Sequence, residues 1–151
     1  MMIALSQMNI EWEDKENNKS KVLDFINEAK ELNVEFIVFP EMTLTGFSMN
    51  VENIAESNDG ETIQWFKNIA RCYNINIGFG VVEKTESEFG KNKFMIINCE
   101  GVIISDYTKL HPFSYGKTQI LFVLCFYASP DLYLYYLYVN VMPVVYYYYY
   151  Y

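Results

Sequence analysis

The sequence predicts an α/β domain built on a mixed sheet, with helices packed on at least one face. Three observations point there. Apolar runs of strand length recur through the first 117 of the 151 residues. Two segments between them carry apolar residues at helical spacing. The last two runs follow one another across a single turn, so the order reads β-α-β-α-β-β-β, which a mixed sheet accommodates and a helical bundle does not.

The first run, Ile3 to Met8, is short and apolar, as a buried strand is. Asn17 to Ser20 offer N-cap residues for the helix that follows. There Val22, Phe25, Ile26, Ala29 and Leu32 fall on one face, and Asn33 is a plausible stop. Val34 to Phe39 reads as a strand ended by Pro40, which cannot donate to a central ladder. Asp59-Gly60 marks a turn, and Ile63, Phe66, Ala70 and Tyr73 form a second amphipathic helix. Ile75 to Val82, with Gly78 and Gly80, is a third strand, and the charged stretch Glu83 to Asn92 reads as a loop. Phe94 to Asn98 and Val102 to Tyr107 are strands joined by Glu100-Gly101. No internal repeat is visible.

Composition narrows the function. The net charge of -8 repels phosphate backbones and argues against a nucleic-acid partner. The N-terminus lacks a basic segment before its short apolar run, so a secretory signal is not expected and the cytoplasm is the expected location. The three cysteines, Cys72, Cys99 and Cys125, form no CxxC pair and suggest neither a disulfide framework nor a zinc site. With His111 the single histidine, a His-based metal centre or a Ser/His/Asp triad is hard to build.

Composition changes near residue 118. All 11 Lys and Arg residues lie at or before Lys117, and the chain ends in six consecutive tyrosines, Tyr146 to Tyr151. The expected organisation is therefore a domain over 1–117 and an aberrant apolar, Tyr-rich tail over 118–151. A membrane segment would have the length, but Pro130, Asp131, Asn140 and Pro143 interrupt it and no basic flank anchors it. A buried strand would need a period that a tyrosine homopolymer lacks. Repeated Tyr, Leu and Phe codons are also what a shifted frame in an AT-rich gene produces. That reading ranks ahead of a membrane tail.

Two residues carry candidate chemistry. Glu41 ends Ile37-Val38-Phe39-Pro40-Glu41, where a poorly solvated carboxylate is suited to take a proton near neutral pH. Strand ends of this kind host the ligand sites of open α/β sheets. Lys109 follows the last strand, and an ammonium at a cleft can stabilise a developing oxyanion. Each has a plain alternative, an exposed loop glutamate and a solvated surface lysine, and each alternative wins when its residue is judged alone. His111, beside Pro112, reads as a loop-shaping residue.

Taken together these blocks resemble the nitrilase superfamily of carbon–nitrogen hydrolases. Ile3-Ala4-Leu5-Ser6-Gln7 resembles the family's first strand. Phe39-Pro40-Glu41 followed by Leu44-Thr45-Gly46-Phe47 resembles its glutamate block. Asn92, Cys99-Glu100-Gly101 and Asp106-Tyr107-Thr108-Lys109-Leu110-His111 resemble the stretch leading to its lysine. The likeness covers residues 3 to 117, the N-terminal half of the family's domain, and its wording is closest to the amidase branch.

The resemblance implies an α-β-β-α sandwich, incomplete in this chain, with no metal or organic cofactor. It implies a small-molecule amide substrate, possible action on nitriles, no membrane partner, and a homo-oligomer for the intact protein. Catalysis would use a cysteine thiolate as nucleophile, Glu41 as general base and Lys109 as oxyanion stabiliser. Cys125, after the apolar run Leu121 to Leu124 and before Pro130-Asp131-Leu132-Tyr133, is a weak candidate for the nucleophile. Its spacing from Lys109 is shorter than the family pattern. The acidic and arginine positions that follow the family cysteine are missing, and no glutamate follows Lys109. Buried among apolar residues, such a thiol would be inert. The competing expectation is a truncated, inactive remnant or binding module, associated with a membrane if its tail inserts.

Overall fold

The computed structural model describes residues 1–86 and 89–109, and the backbone of two short strand pieces, Ser114–Tyr115 and Thr118–Gln119. Strand β1 (Ile3–Leu5), helix α1 (Lys15–Glu31), strand β2 (Phe36–Val38), helix α2 (Val51–Ile54) and helix α3 (Glu61–Tyr73) lead to three consecutive strands. These are β3 (Asn76–Lys84), β4 (Gly90–Ile97) and β5 (Ile103–Thr108). They form one five-stranded sheet in the order β1-β2-β3-β4-β5. The first three strands are parallel, and β4 and β5 add antiparallel. Ser114–Tyr115 (β6) pairs with Thr118–Gln119 (β7) as a separate antiparallel hairpin.

Three boundaries differ from expectation. Helix α1 starts ahead of Asn17, because the Asp14 carboxylate accepts the Asn17 N–H at 3.0 Å and caps the helix there. The Asn17 N–H first, and the Asn17 side-chain amide after it, hold Asp14 below the usual carboxylate range. The charged stretch 83–92, expected as a loop, is strand at both ends, Glu83–Lys84 and Gly90–Asn92, because charges there pair across the ladder. Lys93 bridges Glu83 at 2.6 Å and Asp106 at 2.9 Å. The four-residue α2 carries no periodic signal of its own. The two αL stops behave as asparagine predicts: Asn33 follows α1 at φ 58° and Asn74 caps α3 at φ 48°.

Both long helices cover one face of the sheet. Val22, Ile26 and Ala29 of α1 and Ile63, Phe66 and Ala70 of α3 share a core with Ile37, Phe39, Ile77, Phe79, Val81, Met95 and Ile97. Period two turns every second residue of each strand toward that face. Phe66 stacks on Phe79 with ring centroids 4.0 Å apart. The alternate residues, among them Leu5, Phe36, Val38, Gly78, Gly80, Asn92 and Phe94, look the other way. This second face carries the candidate site. The described part is thus one sheet with one helix layer, one half of an α-β-β-α sandwich.

Candidate active site

Glu41 stands past the C-terminal end of β2, where the chain leaves the sheet without leaving its neighbour. Phe39 N–H still bonds to Gly78 O at 2.8 Å, and Thr43 N–H bonds to Gly80 O at 3.1 Å. The Thr43 hydroxyl donates to Pro40 O at 2.7 Å and accepts the Gly80 N–H at 3.0 Å. Glu41 is thereby fastened on both sides to β3. Gly80 makes this approach possible: a Cβ there would lie 2.4 Å from the Met42 nitrogen and 2.8 Å from the Glu41 Cα. Met42 turns the chain away with φ 50°. Asn18 of α1 braces the far side of the loop by donating to Leu44 O at 2.8 Å.

Lys109 stands directly after β5, which runs parallel to β2, so it emerges at the same end of the sheet as Glu41. Its backbone N–H continues the β4–β5 ladder by bonding to Asn92 O at 2.9 Å. Its Nζ reaches Glu41 Oε1 at 2.6 Å across 68 residues of sequence. The lysine side chain is 13% exposed and the glutamate 36%, so the pair sits in a shallow, part-buried position. The buried Asn92 Nδ2 donates to the same Oε1 at 2.5 Å. Among the described residues no hydrogen bond reaches Oε2. Among the described residues the carboxylate is thus held through Oε1, which leaves Oε2 to them as the oxygen suited to proton exchange with a bound group.

The two residues singled out in sequence, Glu41 and Lys109, are therefore in contact. The weak nucleophile candidate, Cys125, and His111 lie outside the described residues. Cys99 accompanies the other end of β3, where its N–H bonds to Asn76 Oδ1 at 3.1 Å. Four residue steps along β3 separate Asn76 from Gly80, roughly 13 Å at a strand's rise, so Cys99 does not join the pair. Cys72 is exposed on the helix layer. Among the described residues there is no cluster able to hold a metal ion, and no helix is long and apolar enough to cross a membrane. Sequence reasoning missed Asn92, Thr43 and Gly80 as parts of the site. The period-two pattern Gly90, Asn92, Phe94 would have placed Asn92 on the site's face had the stretch been read as strand.

Residues 2–138 match the family of carbon-nitrogen hydrolases. The chain belongs to that family. Among curated relatives of this hydrolase family, the chain is 27% identical over 112 residues to 2-oxoglutaramate amidase of Bacillus subtilis, covering 74% of the chain and 43% of that protein. It is 30% identical over 120 residues to the nitrilase and fragile histidine triad fusion protein of Drosophila melanogaster, covering 78% and 26%. The hydrolase in the agr operon of Staphylococcus aureus is 24% identical over 112 residues, covering 74% and 43%. The chain spans less than half the length of these relatives. In fold, this hydrolase-family chain is similar to an amidase from Nesterenkonia sp., with TM-score 0.69 at 18% identity, over 82% of the chain and 48% of the amidase. The matched residues 2–138 include Cys125.

Proposed function

We propose that the intact protein hydrolyses a non-peptide carbon–nitrogen bond of a small molecule, an amide in the first instance and a nitrile as the alternative substrate. The observation that carries this reading is the contact between Glu41 and Lys109, which joins the base and the oxyanion stabiliser of the family pattern at one end of the sheet. In this mechanism a cysteine thiol gives its proton to Glu41 Oε2 and attacks the amide carbon. The Lys109 ammonium faces the oxygen that becomes negative. Glu41 then passes the proton to the departing nitrogen, ammonia or an amine leaves, and water activated by Glu41 releases the acid from the thioester. A variant of the Nesterenkonia amidase with its glutamate changed to glutamine carries the acetamide moiety of fluoroacetamide on the active-site cysteine. The thiol there has displaced fluoride with the amide left intact, so the adduct supports a small amide as the group held beside the cysteine of that amidase. Cys125 stays the weak candidate for the nucleophile in this chain, a location in the cytoplasm and a homo-oligomeric assembly of the intact protein are proposed with the reading, and the family pattern implies no cofactor.

The test is ammonia release from a panel of short aliphatic amides and nitriles. Glu41→Gln, Lys109→Met and Cys125→Ser should each lower turnover by a factor of about a thousand or more, since each removes a member of one catalytic unit. A second reading, an inactive remnant or binding module, is favoured by the missing acidic and arginine positions after Cys125. It predicts no ammonia release from the folded chain, and turnover that appears only in a longer product carrying a family-like cysteine strand.

A further inference from the structure

We infer that Asn92 is a positioning residue of the Glu41–Lys109 site: its side-chain amide locks Oε1 of Glu41 and its backbone carbonyl locks the main chain of Lys109. The inference rests on the reading of Glu41 as the base. Asn92 lies on β4, opposite Val82 of β3. It is 3% exposed, and a buried amide that lacked a partner would be costly there. Its Nδ2 is aimed at Glu41 Oε1 at 2.5 Å, while its carbonyl accepts the Lys109 N–H at 2.9 Å. One residue of a central strand thus sets both members of the pair, which come from the two flanks of the sheet. With Asn92 and the Lys109 Nζ both donating to Oε1, the carboxylate cannot rotate freely, and Oε2 is the oxygen presented to a reacting group. Rigid support of this sort keeps a base within the few tenths of an ångström that proton transfer demands.

Two measurements on the full chain test this. The first is the ¹H–¹⁵N spectrum of the side-chain amides. Glu41→Gln should move the Asn92 amide resonance more than that of any other asparagine, because it replaces the charged acceptor. An unmoved Asn92 resonance would overturn the proposal whether or not the chain has activity. The second is steady-state ammonia release by Asn92→Leu, which keeps the volume but loses the donor, and by Asn92→Gln, which keeps a donor. Asn92→Leu should lower kcat roughly 10- to 100-fold with KM nearly unchanged, and Asn92→Gln should recover part of the loss. Turnover by the parent chain with an unchanged kcat in Asn92→Leu overturns the proposal and leaves the hydrolase reading standing. No turnover in the parent, together with a moved Asn92 resonance, overturns activity for this chain and leaves the positioning role standing.

Discussion

The Glu41 carboxylate shows how few atoms hold the site together. Two donors converge on Oε1, and the backbone behind it rests against a strand that tolerates no side chain at residue 80. Gly80→Ala should therefore act on Glu41 without touching its side chain. The added methyl would meet the Met42 nitrogen and the Glu41 Cα, both backbone atoms, so the loop must move. We expect a loss of about 1–3 kcal/mol in stability, read from the urea midpoint. The Lys109–Glu41 pair should also loosen, visible as a shift of the Glu41 and Lys109 resonances. A variant as stable as the parent with unmoved resonances would refute the close approach. The Thr43 hydroxyl belongs to the same fastening: Thr43→Val keeps the shape and removes a buried link between Pro40 and Gly80. It should cost about 1–3 kcal/mol, with Thr43→Ser restoring most of it.

At the scale of elements, α3 shows a helix start supplied from a distance. Its N-cap is Gly60, which offers no side chain, and the Glu56 carboxylate takes that place by accepting the Thr62 N–H at 2.7 Å. Glu56 also accepts from the Thr62 hydroxyl and from Lys15 at the start of α1, so one carboxylate ties both long helices. Burial raises its pKa, but the bonds from Lys15 and Thr62 outweigh burial and hold it below the usual glutamate range. The sign of the consequence follows: a depressed folded pKa contributes stability above the unfolded value of ~4.3, and this is lost as pH falls through the folded pKa. Glu56→Gln should cost about 1 kcal/mol at neutral pH and flatten the acid limb of a thermal-melt profile. An acid limb identical to the parent's would show that Glu56 does not set it. Lys19 and Lys93 act in the opposite sense. Burial lowers each, but Glu16 and Glu61 around Lys19, and Glu83 and Asp106 around Lys93, raise both above the usual lysine range. Their contribution is present at neutral pH and fades only in strong alkali.

At the scale of the whole molecule, the described residues cover the helix side of the sheet and, among themselves, leave the other side uncovered. Phe66 is fully buried between Phe39 and Phe79, and Phe66→Ala should cost about 3–5 kcal/mol, enough to abolish cooperative unfolding of a marginal domain. On the opposite face Leu5 is 52% exposed, and Phe36 and Val38 are only partly covered. A sheet with one apolar face and its edges exposed associates readily. Size-exclusion chromatography of the full chain should show self-association and low soluble yield. An abundant monomer that unfolds cooperatively would contradict this.

What the sequence determined by itself was local. Helix spacing in Val22, Ile26 and Ala29, the stop at Asn33, and the apolar strand before Pro40 each follow from neighbours a few residues apart, and all are legible without coordinates. The succession of strands and long helices along the chain and the resemblance to carbon–nitrogen hydrolases were legible for the same reason, since both lie in runs read along the chain. Tertiary structure decided what depends on distant residues meeting. The register of β3, β4 and β5 carries Asn92 under Glu41 and brings Lys109 across 68 residues to the same oxygen. The two ends of the charged stretch 83–92 lie in strands beside Lys93, which bridges Glu83 and Asp106 across the ladder. Cross-strand partners have no fixed spacing in sequence, so the pairing of sheet and site had to be seen in three dimensions.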